Sequence, residues 1–488
     1  MSAERFREDE RLFEALRLAV GAEHVLTDPE ETRVYDSDAL SFQRELPRAV
    51  VLPASEAEVI AVLAACRLVG APVVPRGAGT GLSGGVRPLA EGIVLCLSRM
   101  SQIIKIDPEG PLAVLQPGVR NLAISEAAAA FGLCYAPDPS SQIACTIGGN
   151  VSENAGGVHC LKYGLTLHNV LAIRGVLSTG EVITLGGLAP ESPGLDLLPV
   201  VIGSEGMMLV VTEVTVKLIP KPEAARLVMA SFDSVERCAS AVADILAAGI
   251  VPAGLEMMDQ GAVAVAEDFV QAGYDLSAAA LLLVECDGTP EEVTEDLSRV
   301  LRVLERAGAS RCQAAADEAE RLRFWSGRKN AFPAAGRAAA DYYCMDGTVP
   351  RRALAGLLTE IGELSKTYAL RCINVFHAGD GNMHPLILFD ARKPGELDRA
   401  EAFGQAILEA CLARGGTVTG EHGVGVEKLD SLCIQFGEGE RALFHGLKAA
   451  FDPERLLNPD KGIPSLHRCI EFGRRRGSPG LSLGLEHF

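Results

Sequence analysis

Positive charge is scarce in this sequence: 45 Lys and Arg stand against 64 Asp and Glu, a net charge of -19. Such a surface repels phosphate, so neither nucleic acid nor an anionic membrane is expected as a main partner. Long apolar runs are also missing. The longest, such as residues 278–284, fall far short of the ~20 residues a membrane-spanning helix needs. Residues 1–14 are charged and helix-like, unlike a secretory signal. The 13 cysteines include no C-x-x-C pair, and their number is odd. That excludes a disulfide framework, a zinc ribbon and an iron–sulfur pattern, and it predicts reduced, mostly buried thiols in a cytoplasmic protein. No internal repeat is found. What is present is ordinary globular usage, 48% hydrophobic and 22% charged, in 488 residues. That length holds two or three domains, each able to bury its own core.

Residues 1–45 read as an amphipathic helix and a connecting stretch. From residue 49 short apolar strands alternate with helices. Strands are predicted at 49–53, 71–75, 93–97 and 112–116, a helix at 56–69 capped by Ser55, and another at 121–131. A hairpin is expected over 170–185, and alternation over 210–219 predicts a half-buried strand. Pro220-Lys221-Pro222 reads as a linker. Beyond it, strands near 227–232, 279–285, 342, 374 and 386 with helices at 234–248 and 290–307 predict an α+β sheet covered by helices on one face. A helix is expected near 438–451, and residues 463–488 read as a peripheral tail.

Glycines are concentrated where a ligand's phosphates would need close backbone approach. Residues 75–85 follow a strand and contain five glycines, a nest for an anion. Gly79-x-Gly81-x-x-Gly84 formally matches the dinucleotide fingerprint, but Gly84-Gly85-Val86-Arg87-Pro88 is a poor helix start. No Lys-Ser/Thr follows, which excludes a P-loop. Further clusters at 137–141, 146–157, 162–164 and 203–206 join it, the last leading into the strand with Thr212. Together they suggest one extended cofactor lying across the domain.

The most specific feature is His377-Ala378-Gly379-Asp380-Gly381-Asn382-Met383-His384, followed later by Glu421-His422. Apolar runs flank a Gly-Asp-Gly-Asn turn. A hairpin there would set the imidazoles opposite each other at ~4.5–5.5 Å. Two His nitrogens and the Glu421 carboxylate then suit one divalent cation, Zn or Mn, leaving His422 as a free base. The plainer alternative is a glycine turn with two hydrogen-bonded histidines. Asp380 and Asn382 either orient the ligands or make the turn.

These motifs resemble a known family. The loop at 75–85, the run 146–157 and the turn 203–206 resemble the FAD domain of vanillyl-alcohol-oxidase-type flavoenzymes. The histidine motif with Glu421-His422 resembles the cap domain of their D-2-hydroxyacid dehydrogenase branch, and the likeness covers roughly residues 45–465. Residues 325–330 and 341–347 are most similar to the flavin subunits of bacterial glycolate oxidases. The resemblance implies an α+β chain: a helical segment at 1–45, a two-subdomain FAD-binding domain at 46–222, a cap with an antiparallel sheet at 223–462, and a tail at 463–488. It implies non-covalent FAD, with Arg76, Gly77, Gly79, Thr80, Gly81, Leu82 and Ser83 on the pyrophosphate. Further cofactor contacts would be Pro137, Asp138, Ser140, Thr146, Gly148, Gly149, Asn150, Asn154, Gly156, Gly157, Tyr163, Gly203, Glu205, Gly206, Thr212 and Asn458. Arg328 would grip the substrate carboxylate with its bidentate fork. His422, near neutral in pKa, would take the hydroxyl proton as the α-hydrogen leaves as hydride to the flavin.

Relatives acting on dicarboxylic 2-hydroxyacids carry a Lys near Cys344 and an Asn at the place of Leu386. Their absence favours a short monocarboxylate, glycolate or D-lactate. Electrons would leave to an iron–sulfur subunit and a second FAD-domain-like subunit, reaching the inner membrane only through such partners. The rival expectations are a D-lactate or D-2-hydroxyglutarate dehydrogenase acting alone, an ether-lipid synthase, and a non-catalytic electron-relay subunit.

Overall fold

The computed structural model describes residues 3–189, 194–465 and 468–469. Helix Ala3–Val20 packs on helix Glu56–Val69, whose start is fixed as expected by Ser55 Oγ accepting from Glu58 N. Both rest on a four-stranded sheet in the order Val25–Leu26, Ala49–Val51, Ile93–Cys96, Val73–Arg76. Its last three strands are parallel. Consistent with the burial of parallel sheets on both faces, all three strands are short and, apart from Arg76, apolar.

A five-stranded antiparallel sheet follows, ordered Ile103–Asp107, Leu112–Leu115, Val210–Lys217, Val170–Val176, Val182–Gly186. Strand Val210–Lys217 is its centre. The expectation of a half-buried strand needs correction, because Val211, Thr212 and Thr215 are buried along with Val210, Val214 and Val216. The alternation is one of chemistry rather than exposure. Pro220 is not in a free linker either: Ile219–Pro220 pairs with Leu133–Cys134, and Lys221 N donates to Gly132 O.

The second half is one antiparallel seven-stranded sheet, ordered Arg311–Ala314, Ala224–Phe232, Ala280–Gly288, Gly254–Asp259, Arg371–His377, Pro385–Phe389, Asp341–Cys344. Helices cover both of its faces, not one. Val228, Ala230 and Phe232 face helices Val235–Ala247, Pro290–Arg306, Leu354–Tyr368 and Glu396–Ala413. Leu227 and Met229, one residue out of phase, face helices Gln260–Val270, Glu318–Lys329 and Ala331–Ala338. Strand 227–232 is buried at every position and apolar at all but Ser231, the pattern of burial on both sides.

The chain then returns to its first half. Val73 N donates to Leu456 O and Asn458 N to Val73 O, so residues 456–458 lie against the edge of the first sheet, with Leu456 and Leu457 in its core. Against the expectation of reduced thiols throughout, Cys433 and Cys469 form a disulfide with Cα atoms 5.3 Å apart. An ion pair between Arg468 and Asp430 lies beside it, a proximity that spacing in sequence does not reveal. The other 11 cysteines are free. Residues 470–488 of the expected tail lie outside the described residues. Among the described residues no helix is long and apolar enough to cross a membrane.

Candidate active site

His377 ends its strand on the face shared with Ile373 and Val375. The turn after it closes as the residues dictate. Gly381 takes φ 82°, Asp380 Oδ1 accepts from Asn382 N at 3.1 Å, and His377 N donates to Asn382 O. The bridging partner of His377 is thus Asn382, and His384 lies two residues beyond it on the facing strand. The two rings meet edge to face with centroids 5.1 Å apart, and the plane of His422 stacks on His384 at 4.8 Å.

Glu421 joins the three histidines. Its Oε1 lies 3.1 Å from His377 Nε2 and 3.3 Å from His384 Nε2. Neither ring nitrogen of His384 has a hydrogen-bond partner, nor has Nδ1 of His422. Burial raises the Glu421 carboxyl, but the three histidines together bring it down to about 2. His422 is not near neutral as expected. Its removal from water, with His384 and Lys428 close by, pushes it down to about 4 against the pull of Asp346. At neutral pH it therefore holds an unprotonated ring with a free lone pair.

Two donor sets suit a cation: His377, His384 and Glu421, or Asp346, His384 and His422. The second is already neutralised. Asp346 is fully buried and accepts from Gly420 N, Glu421 N, His422 N and Thr419 Oγ1, with Lys428 Nζ at 3.0 Å. A carboxylate saturated by one ammonium and four other donors is a poor cation ligand, and it serves instead as the cradle that shapes residues 419–422. His377, His384 and Glu421 form the better centre.

Sequence reasoning missed Asp346, Lys428 and Glu256. Glu256 is 1% exposed, with Oε1 2.7 Å from His377 Nδ1 and Oε2 2.6 Å from Arg328 Nε. Burial raises its pKa, yet His377 and Arg328 bring it below the usual carboxylate range. The only signal was a charged residue within the short apolar stretch 254–258. Arg328 is itself 2% exposed, so its Nε is held by Glu256 rather than free at the surface. A parallel network is equally invisible in the sequence: His159 Nδ1 meets Asp138 at 2.7 Å and Nε2 meets Glu285 at 3.3 Å, while Glu285 also holds Arg321 and Trp325.

The glycine clusters converge on one groove beside this site. Pro75, Arg76, Gly77, Pro117, Thr146, Gly148, Gly149, Glu205, Gly206 and Val211 line it. A Cβ at Gly77 would sit 2.4 Å from Thr146 Oγ1, and one at Gly148 2.7 Å from Pro117. Gly79, Thr80, Gly81, Leu82 and Ser83 continue the loop from Arg76, whose Nη1 donates to Ser37 O. Gly156 brings the first half against the histidine cluster, since a Cβ there would lie 2.5 Å from Glu421 Oε2. Gly157 packs on Asp138, and Gly203 takes φ 80°.

Other expected contacts have structural partners. Thr212 turns away from the groove to Glu56 and Arg174 O, leaving Val211 as the residue of that strand lining it. Tyr163 donates to Asp287, Pro137 O accepts from Asn121, Asn154 Oδ1 accepts from Leu167 N, and Ser140 is exposed. Both oxygens of Glu205 accept from Val424 N and Gly425 N, clamping the segment after His422 to the first half.

Residues 47–186 match the family described as FAD binding domain, and residues 221–462 match FAD linked oxidases, C-terminal domain. Over 459 residues the chain is 59% identical to glycolate oxidase subunit GlcD of Escherichia coli (strain K12), covering 94% of this chain and 92% of that protein. It belongs to the FAD-linked oxidases. This oxidase is also 40% identical over 429 residues to glycolate oxidase subunit GlcD of Bacillus subtilis (strain 168), covering 88% of this chain and 91% of that one. To D-lactate dehydrogenase of Anaerostipes hadrus it is 32% identical over 457 residues, covering 91% and 95%. Its fold is that of p-cresol methylhydroxylase, with a TM-score of 0.79 at 18% identity over 94% of this chain and 98% of that structure.

The residues of the groove fit the FAD this family carries. Ser83 Oγ, Asn150 Nδ2, Glu153 Oε2 and Asn458 Oδ1 are buried polar atoms without a partner in or beside it. Buried polar groups are otherwise satisfied, so such a gathering suits a large polar ligand. Among the described residues the glycines supply a backbone-walled cradle that side chains would fill.

Proposed function

We propose that this oxidase is the flavin-carrying, catalytic subunit of a glycolate oxidase, converting a short 2-hydroxy monocarboxylate to the 2-oxo acid. The observation that carries the reading is the buried His377–His384–Glu421 triangle with the unprotonated His422 stacked on it. The first three would hold one divalent cation, zinc or manganese. Bound there, such a cation supplies Lewis acidity to a 2-hydroxyl and a carboxylate oxygen. FAD in the adjoining groove supplies two-electron acceptance.

The remaining work falls to the chain. His422, with a free lone pair, accepts the hydroxyl proton. Arg328 faces the substrate carboxylate from a fixed plane. Leu386 and Cys344, both buried and paired across neighbouring strands, offer no group to pair a second carboxylate, which favours glycolate or D-lactate over a dicarboxylate. Electrons pass to iron–sulfur and second flavin-domain subunits, a reading supported by the word subunit in the names of the 59% and 40% relatives.

The test is anaerobic. The FAD-loaded chain is mixed with glycolate, D-lactate or D-2-hydroxyglutarate while flavin absorbance is followed. Glycolate should bleach it at the lowest concentration. Bleaching best by D-lactate would place the chain with the 32% identical dehydrogenase, and bleaching by none would make it an electron relay.

A further inference from the structure

Glu256 stands directly opposite His377 in the sheet, in strand Gly254–Asp259. A carboxylate 1% exposed is costly to bury unless both oxygens are engaged. Here each is, by a different neighbour: Nδ1 of His377 at 2.7 Å and Nε of Arg328 at 2.6 Å. With Nδ1–H donating to this carboxylate, the ring can offer a cation only its Nε2; without a cation both nitrogens face carboxylates, which overcome burial and hold the ring above the usual histidine range. Nε2 is the nitrogen that lies 3.1 Å from Glu421. On the other side, fixing Nε of a planar guanidinium fixes the plane of the whole fork.

We infer that Glu256 is a positioning residue for the reaction: one buried carboxylate sets the tautomer and ring plane of His377 toward the cation and at once sets the plane of Arg328 toward the substrate carboxylate. The inference rests on the cation centre and substrate roles proposed above. A carboxylate behind a metal-bound imidazole raises its basicity and holds its orientation. What is particular here is the sharing. The distance between cation and guanidinium is set by one side chain rather than by two loops.

The experiment uses the full chain loaded with FAD and reads cation affinity by equilibrium dialysis with metal analysis, apart from turnover. Removing only one charge of a buried pair risks unfolding, so the main variant is the double Glu256→Leu/Arg328→Met, of similar volume and no charge. It should keep FAD and bind zinc or manganese ~10–100-fold more weakly than the unaltered chain. Glu256→Gln, whose carbonyl accepts from His377 but whose amide cannot also accept from Arg328, should retain most cation affinity while raising KM for glycolate. Arg328→Met alone should leave cation affinity near normal. Full cation affinity in the double variant overturns the inference while leaving the centre standing. An unaltered chain that binds no divalent cation overturns the centre itself, and the inference with it.

Discussion

At the scale of single residues, the histidine motif was legible and its supporting carboxylates were not. His377, His384 and Glu421 announce themselves by type and spacing, and the fold brings them together. Glu256 and Asp346 lie 121 and 76 positions from the residues they hold, and no local pattern links such pairs. The division of roles predicts that His377→Ala and His422→Ala fail differently. Loss of His377 should strip the cation and weaken substrate binding. Loss of His422 should keep cation and FAD yet slow flavin reduction by ~10²–10⁴-fold; stopped-flow reduction with parallel metal analysis separates the two. A second residue prediction concerns Glu427, whose side chain is 3% exposed and whose pKa burial pushes up from 4.5 to about 7. The folded state then binds the extra proton between those values. Its stabilising contribution is full below pH ~4.5 and is lost as pH rises through 7. Glu427→Gln, which cannot ionise, should therefore leave stability nearly unchanged at pH 5 and raise it at pH 8 by up to roughly 3 kcal/mol. Urea melts at the two pH values check this; equal effects at both would mean the carboxyl ionises freely.

Elements were read well where their signals are local. The Ser55 cap and the hairpin near residue 180 follow from short-range chemistry. Readings failed where the deciding partner is remote, the linker at Pro220 among them. The cap sheet carries helices on both faces, and strand Val210–Lys217 is enclosed on both sides, because neighbours far along the chain decide what covers a strand. The loop carrying Gly156 belongs to this scale. It runs flush against Glu421, so Gly156→Ala, whose Cβ would come 2.5 Å from Oε2, should push that carboxylate aside. We expect retained FAD and a markedly weaker cation in dialysis. An unchanged cation affinity would mean that the loop yields instead.

For the whole molecule, no local pattern of residues reveals that the two halves are stitched by charge. Glu205 clamps Val424 and Gly425, Tyr163 and Lys162 hold Asp287, and His159 bridges Asp138 and Glu285. FAD in the groove they border should stabilise the chain by mass action, by ~2.7 kcal/mol at a concentration one hundred times its Kd. Gentle acid should release all the yellow colour, and flavin left on the precipitated polypeptide would refute non-covalent binding. Residues 456–458, laid against Val73, have a consequence for biosynthesis. The edge they cover is made early and its cover is made last. At ~5–20 residues per second, roughly 380 residues of intervening chain take about 20–80 s to emerge from a ribosome. Through that interval the edge of the first sheet is bare, a template for mispairing with a neighbouring nascent chain. Truncation before residue 456 would make that exposure permanent. Such a product should aggregate rather than accumulate as a soluble flavin-free enzyme.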